Sequence, residues 1–82
     1  MSKKRETCNH EVDEYGNQFW YKDGEYHRGK DLPAIIWVDG RQDWYQNGKI
    51  HRGNDKPAVI FADGRKQWWT KDRYIKSEKA GK

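Results

Sequence analysis

Short segments rich in β-branched and aromatic residues alternate with polar turns along most of this chain. These segments are six residues long and span 33–38, 41–46, 57–62 and 65–70. The dipeptides between and around them favour the tight type I′ turns of antiparallel hairpins; these are Asp23-Gly24, Asp39-Gly40, Asn47-Gly48 and Asp63-Gly64. No window has a helical period. The pattern predicts an all-β antiparallel meander with little or no helix.

The same pattern recurs with a period of 24 residues. It occurs twice in full, and a third copy begins at Trp68, so the chain reads as a single-layer meander of about two and a half hairpin repeats. Residues that recur at one place in each unit are interpreted as structural. They are Trp20, Trp44, Trp68, His27, His51, Arg28, Arg52, Asp31, Asp55, Pro33 and Pro57.

The repeat also constrains how strands are shared between units. Two strands per unit keep successive units in the same orientation, so segments 25–28 and 49–52 are expected to be short returns that extend a hairpin. Trp20, Trp44 and Trp68 are in register and are expected to stack on one another across strands. Because side chains alternate along a strand, aromatic residues are expected on both faces of the sheet.

Composition and charge define the expected organisation. The chain has 82 residues, of which 33% are hydrophobic and 15% aromatic, which suits one small, thin domain and argues against a deep catalytic cleft. The net charge is +4, but residues 10–70 carry −1, whereas 1–9 carry +2 and 71–82 carry +3. We therefore expect a repeat domain over 11–76 with flexible basic tails at 1–10 and 77–82.

Candidate chemistry is sparse. His27 and His51 each lie beside an arginine, but the repeat offers no nucleophile, so we expect these histidines to hydrogen-bond at a corner whose Asp31 and Asp55 carboxylates cap the turn. Cys8 and His10 do not complete a structural zinc site. The sequence predicts no enzyme activity, no metal and no cofactor. A lone cysteine and the absence of a long apolar segment predict a cytoplasmic protein without a membrane span.

Residues 44–51, with the sequence W-Y-Q-N-G-K-I-H, precede a corner and a strand that ends in Asp63-Gly64. This unit resembles the MORN repeat, and more closely a MORN-like variant with H-R-x-x-G-P-A corners that occurs in phage, large-virus and some bacterial proteins. The resemblance covers about residues 16–76. It implies a curved sheet of hairpins that serves as an interaction module, encoded by a phage or virus.

The aromatic residues that differ between units are the better candidates for contact with a partner. With two arginines, they form the predicted partner-binding set: Trp37, Tyr45, Trp69, Tyr74, Arg41 and Arg65. The leading hypothesis is a small protein-binding module that engages, and can thereby inhibit, a host protein or binds a viral one. The alternative is a nucleic-acid-binding protein that uses its basic tails and aromatic stacking. Open sheet edges also allow a homo-oligomer.

Overall fold

The computed structural model describes residues 9–79, which form ten strands and no helix. The strands are β1 (Asn9–Val12), β2 (Gln18–Lys22), β3 (Glu25–Tyr26), β4 (Ile35–Ile36), β5 (Gln42–Asp43), β6 (Tyr45–Gln46), β7 (Lys49–Ile50), β8 (Val59–Ile60), β9 (Lys66–Thr70) and β10 (Arg73–Glu78). The prediction of an all-β protein without helix is confirmed over this part of the chain.

One antiparallel sheet contains most of these strands. Its order is β1-β2-β4-β5-β8-β9-β10, and β3 pairs with β2 beside β4. Strands β6 and β7 pair with each other as a separate hairpin. Each of β3 and β7 is two residues long and lies in a segment that the sequence assigned to a short return. The largely antiparallel, hairpin-connected sheet is confirmed.

The Gly-containing turns are of two kinds. Asp23-Gly24 and Asn47-Gly48 have positive φ at both residues, as a type I′ turn requires. At Asp39-Gly40 only the glycine has positive φ, and Trp37 N–H bonds the Arg41 carbonyl at 2.8 Å across a three-residue loop. The type I′ prediction is wrong there, and equally at Asp63-Gly64. The physical reason is that each aspartate stays in ordinary backbone space, where its carboxylate accepts the N–H two residues on.

A further tight turn forms without glycine. Lys71 and Asp72 have φ values of 47° and 69°, the conformation that Asn47-Gly48 adopts 24 residues earlier. Left-handed backbone is strained for lysine, whereas aspartate tolerates it better because its short polar side chain can form hydrogen bonds. Asp72 offsets that strain by docking on the preceding return: its carboxylate accepts Ile50 N–H at 2.9 Å, and its own N–H bonds the Ile50 carbonyl at 2.9 Å.

The core is small and lies in the middle of the sheet. Its buried apolar residues are Ala34, Ile35, Trp44, Ala58 and Val59. Two polar residues are also buried, His27 and Asp43. A core of this size leaves most aromatic rings partly exposed, so the way those rings are covered decides what each face of the sheet can do.

The structure can be compared with the predicted tail boundaries and with the prediction that the chain has no membrane span. Asn9 and His10 lie in β1, and Ser77 and Glu78 lie in β10, although the sequence placed them in tails. Cys8 and the rest of segment 1–8, like 80–82, lie outside the described residues. Within 9–79 the structure contains no helix long and apolar enough to cross a bilayer. That same part of the chain has no group of three or more metal-ligating side chains.

Candidate functional site

Strand register divides the side chains into two faces. One continuous row of paired residues crosses the sheet, and its side chains point to the same side: Phe19, Ile35, Asp43, Val59 and Gln67. Residues two positions away on each strand point the same way. We call this side the aromatic face; its rings and arginines are Phe19, Tyr21, Tyr26, Trp37, Tyr45, Phe61, Trp69, Tyr74, Arg41 and Arg65. All six residues of the predicted partner-binding set therefore share one face.

The rings of the aromatic face touch one another. Tyr26 lies at the centre of one group, with its ring centroid 6.1 Å from Phe19, 5.2 Å from Tyr21 and 5.3 Å from Tyr45. Phe19 also meets Trp37 edge to face at 6.0 Å. Not one of the eight rings of this face is buried. The face is thus an aromatic surface that no second layer of the described residues covers.

Arg41 is held in place by a buried carboxylate. Asp43 is only 2% exposed, and Arg41 Nε donates to its Oδ1 at 2.8 Å. Trp37 Nε1 donates to Oδ2 of the same carboxylate at 3.2 Å. The Arg41 guanidinium also lies 5.1 Å from the Phe61 ring. The network holds the Arg41 and Trp37 side chains in place on the aromatic face.

Asp43 is the residue that the sequence reasoning missed. It occupies the position that holds Phe19 and Gln67 in the neighbouring units. The available signal was an acid on the same side of a strand as Arg41, two residues away, in a row of otherwise uncharged positions.

Arg65 is held at the adjacent turn. Its Nε lies 2.9 Å from Asp63 Oδ2, and its guanidinium lies 4.5 Å from the Phe61 ring. Hydrogen bonds from the Arg65 backbone, and then from its side chain, hold the pKa of Asp63 below its ordinary value. This pair is more exposed than the Arg41–Asp43 pair. Arg65 consequently remains accessible at the border of the aromatic face.

The other partner-binding candidates are Trp69, Tyr74 and Tyr45, and each carries a polar N–H or O–H group on its ring. Trp69 Nε1 donates to Gln67 Oε1 at 3.0 Å, and the Tyr74 hydroxyl donates to Ser77 Oγ at 2.9 Å. Trp69 and Tyr74 meet edge to face at 5.5 Å. Burial, followed by the Asp43 charge, raises the pKa of Tyr45. Tyr45 therefore keeps its proton and offers a hydrogen-bond donor at neutral pH.

Loops cover part of the opposite side of the sheet, which we call the corner face. It carries Trp20, Trp44 and Trp68 together with two loops, the first corner (29–33) and the second corner (53–57). The indole N–H of Trp44 donates to the Asp31 carbonyl of the first corner at 3.0 Å, and that of Trp68 donates to the Asp55 carbonyl of the second at 2.8 Å. The corners thus serve as lids over the tryptophans.

Cations, and not other tryptophans, stack on these indoles. Arg28 lies 3.6 Å above Trp20, and Arg52 lies 3.9 Å above Trp44. Among the described rings these three tryptophans make no contact with one another, so the predicted cross-strand stacking is wrong. The reason is strand order: Ala34 and Ala58 lie between successive tryptophans in the row.

The repeated histidines and arginines bond backbone groups at the corners. Nδ1 of His27 accepts Asn47 N–H at 3.0 Å, and Nδ1 of His51 accepts Lys71 N–H at 3.1 Å. Each histidine thereby receives the tip of the next hairpin. The corner arginines donate to the proline carbonyls five residues on, Arg28 to Pro33 and Arg52 to Pro57.

The Asp31 carboxylate does not cap its own corner. It accepts Arg52 Nε at 2.8 Å and Lys56 Nζ at 3.0 Å, both from the second corner. The turn-capping role predicted for Asp31 is wrong, because its carboxylate binds these two cations instead. The same role predicted for Asp55 is also wrong, because its carboxylate accepts no hydrogen bond within residues 9–79 and only its backbone carbonyl is bonded. Hydrogen bonds from Arg52 and then from Lys56 lower the pKa of Asp31 to about 2.

Charge is segregated between the two faces. All lysines within strands project from the corner face: Lys22, Lys49, Lys66 and Lys76. The arginines of the aromatic face are each paired with a carboxylate. Although residues 10–70 have a net charge near zero, the charged side chains are unevenly distributed. The strand lysines lie on the side opposite the open aromatic surface.

Comparison of the chain with protein-family models, with curated proteins and with solved structures finds no match.

Proposed function

We propose that this chain is a small, non-enzymatic protein-binding module that contacts its partner through the aromatic face. The carrying observation is that eight partly exposed rings and two arginines, held by carboxylates, form one surface without a covering layer. Aromatic residues and arginine are the types enriched at protein interface hot spots. Rings already packed against one another lose little conformational freedom when a partner binds.

The distribution of charge favours a protein over nucleic acid as the partner. A binder of single-stranded nucleic acid needs aromatic platforms and phosphate-binding cations along the same groove. Here the open rings lie on one face, whereas the strand lysines lie on the other. The two cations beside the rings, Arg41 and Arg65, are already paired.

The partner is expected to present an apolar patch with hydrogen-bond acceptors at its border. The centre of the aromatic face offers ring surface, while the Tyr45 hydroxyl offers a hydrogen-bond donor. Arg65 adds guanidinium donors at the border, where its side chain is 56% exposed. Acceptors on the partner, including carboxylates, match these donors.

We further propose that the 24-residue units are MORN-like repeats and that the module is phage- or virus-encoded, with a cytoplasmic host protein as its target. The support is the recurrence of equivalent contacts one period apart. Examples are the indole bonds to the corner carbonyls and the histidine bonds to the hairpin tips. The viral origin rests on the sequence resemblance alone.

Affinity capture with matched variants tests the proposed binding face. The full-length tagged chain is used as bait, and retained proteins are identified by mass spectrometry. Trp69→Ala is expected to lower retention of the partner by about tenfold. Lys66→Ala, on the same strand but on the corner face, is the control and should retain the partner. Equal retention by both variants, or capture of no protein by the parent, would refute the proposal.

Salt dependence tests the nucleic-acid alternative on the same material. Phosphate contacts release counterions, so such binding falls steeply as salt rises. We expect no retention of single-stranded oligonucleotide by the full chain at physiological salt. Tight binding that weakens steeply with salt and is lost with Trp69→Ala would instead favour the nucleic-acid function.

A further inference from the structure

The two corners have the same backbone. Lys30 and Asp31 have φ values of 58° and 59°, and Asn54 and Asp55 have 60° and 59°. In each corner the glycine carbonyl accepts the N–H three residues on at 3.2 Å. In each, the aspartate carbonyl accepts a tryptophan indole. The corners can therefore be compared atom by atom, and they differ in what binds the carboxylate.

The first corner is a receptor for an arginine side chain. Arg52 donates Nε and one terminal nitrogen to the two oxygens of Asp31 at 2.8 and 3.2 Å, while its guanidinium lies 3.9 Å from the Trp44 ring. The Arg52 side chain is only 13% exposed. A carboxylate that accepts two parallel bonds and an aromatic ring that stacks on the same guanidinium together recognise arginine specifically.

The second corner offers the same groups without the arginine. The Asp55 carboxylate has no hydrogen bond or ion pair within residues 9–79. Lys76 stands in register with Arg52, but its ammonium lies 4.6 Å from the Trp68 ring and does not bond Asp55. Strand β10 has a register shift between Tyr74 and Lys76 but continues to Glu78, so no further corner of the described chain reaches Asp55.

The difference leaves an open cavity beside Asp55. Its volume is about 640 Å³, and its lining includes Asp55, Trp68, Thr70 and Lys76. A guanidinium on the end of its side chain fits easily within such a volume. The equivalent region of the first corner is where Arg52 and Lys56 meet Asp31.

We propose that the second corner binds an arginine side chain of a partner protein. The guanidinium would pair with both oxygens of Asp55 and stack on Trp68, as Arg52 does with Asp31 and Trp44. The cavity lies beside the second corner, and Trp69 of the aromatic face is also among its lining residues. The proposed contact uses Asp55 and Trp68, so it does not depend on the partner proposed for the aromatic face. It assigns the sheet a second contact point, with a defined side-chain specificity.

The surrounding charges permit a second cation at this site. Arg52 also lines the cavity, but its guanidinium is compensated by Asp31. Lys76 is an exposed, flexible side chain that can move off the Trp68 ring when a guanidinium arrives. The first corner provides the precedent, because Asp31 accepts Arg52 and Lys56 together.

Titration of the full chain with a short blocked peptide tests the proposal. The probe is acetyl-Gly-Arg-Gly-amide, and the readout is the nuclear magnetic resonance signals of the tryptophan indole N–H groups and of the backbone. The Trp68 indole and the Asn54 and Asp55 amides should shift and saturate. The same peptide with lysine should bind at least about fivefold more weakly, because it lacks the planar fork. Equal shifts with both peptides would overturn arginine recognition.

Variants of the corner make the test specific. Asp55→Asn keeps a residue that tolerates left-handed backbone and should weaken binding of the arginine peptide about tenfold. Lys76→Arg should also weaken binding of the arginine peptide, because the introduced guanidinium would itself pair with the Asp55 carboxylate. Asp39→Asn, at an exposed turn, is the control and should bind like the parent. Undiminished binding by Asp55→Asn would overturn the proposal.

A dilution series without peptide identifies the source of the arginine. The proposal expects the Trp68 and Asp55 signals to be independent of protein concentration. If they shift with concentration as they do with peptide, a second copy of this chain fills the corner, and the proposal of a separate partner is overturned.

Discussion

Both faces of the sheet carry tryptophans, but the two faces differ in how those tryptophans are covered. On the corner face, Trp44 is 5% exposed, with its indole N–H bonded to a corner carbonyl and its ring covered by Arg52. On the aromatic face, Trp37 and Trp69 bond only to side chains of their own face and keep exposed surface. The loops of this chain protect one side of a thin sheet and leave the other side accessible.

The difference shows how a small sheet divides its aromatic residues between a covered face and an exposed face. A chain of this length buries too little surface to cover both faces. The two corners and their cations provide the cover for one face. The rings on the other face are held by each other and by two arginine–carboxylate pairs, which leaves them rigid and exposed.

The largest expected effect is a difference between the two faces in how much a tryptophan contributes to the free energy of unfolding. Trp44→Ala removes a buried ring, its bond to Asp31 and the platform under Arg52, so the free energy of unfolding should fall by about 3–5 kcal/mol. Trp69→Ala should cost less than half as much, because its ring is partly exposed already. Urea denaturation followed by circular dichroism measures both. Equal losses would mean that the faces do not differ in the way described.

A smaller effect is expected at the buried acid that supports the aromatic face. Asp43→Asn leaves Arg41 and Trp37 with one acceptor oxygen and no charge, so unfolding should become easier by about 1–3 kcal/mol. Asp63→Asn breaks an exposed pair beside Arg65 and is the matched control, with an expected loss of at most about 0.5 kcal/mol. The same denaturation experiment applies. A loss for Asp43→Asn no larger than for the control would contradict the anchoring role.

Local features of this fold could be predicted from the sequence, because alternation and turn chemistry act over a few residues. Each of the four segments rich in β-branched and aromatic residues contains at least one strand, namely β4, β5 and β6, β8, and β9. The six partner-binding candidates share a face because each occupies the same side of its strand. Period-two alternation is sufficient for that result. The shared face follows from strand register alone, whereas partner binding stays a prediction.

Pairings through space could not be predicted in this way. Asp31 binds Arg52 and Lys56, which are 21 and 25 residues away, and no local rule selects them over a turn-capping role. The tryptophans align in sequence, but Ala34 and Ala58 lie between them across the sheet. The turns at Asp39 and Asp63 depend on carboxylate bonds to the backbone, which the dipeptide alone does not specify.

The two corners should respond differently to acid. The pKa of Asp31 is lowered from 3.8 to about 2, so its ionised form stabilises the fold. Such a contribution is present above the unfolded pKa and is lost as the pH falls through the folded pKa. Asp31→Asn should therefore cost about 1 kcal/mol or less at neutral pH, because the pair is partly exposed. The cost should shrink between about pH 4 and pH 2.

Asp55→Asn is the matched control for the acid experiment. Its carboxylate has no partner among the described residues, so the substitution should change stability little at either pH. Thermal unfolding of parent and variants across this pH range provides the comparison. A cost for Asp31→Asn that stayed constant down to pH 2 would show that the ion pairs with Arg52 and Lys56 do not stabilise the first corner.

The smallest expected effect on stability belongs to Tyr74, at the outer strand of the aromatic face. Its ring is 54% exposed and contacts Trp69, so Tyr74→Ala should lower the free energy of unfolding by only about 0.5 kcal/mol. Retention of the captured partner should nevertheless fall severalfold, as a ring that contributes to recognition requires. Lys49→Ala, at an exposed position of β7 on the corner face, should change neither quantity. If Tyr74→Ala left retention intact while Trp69→Ala abolished it, the binding surface would end at β9 and exclude the outer strand.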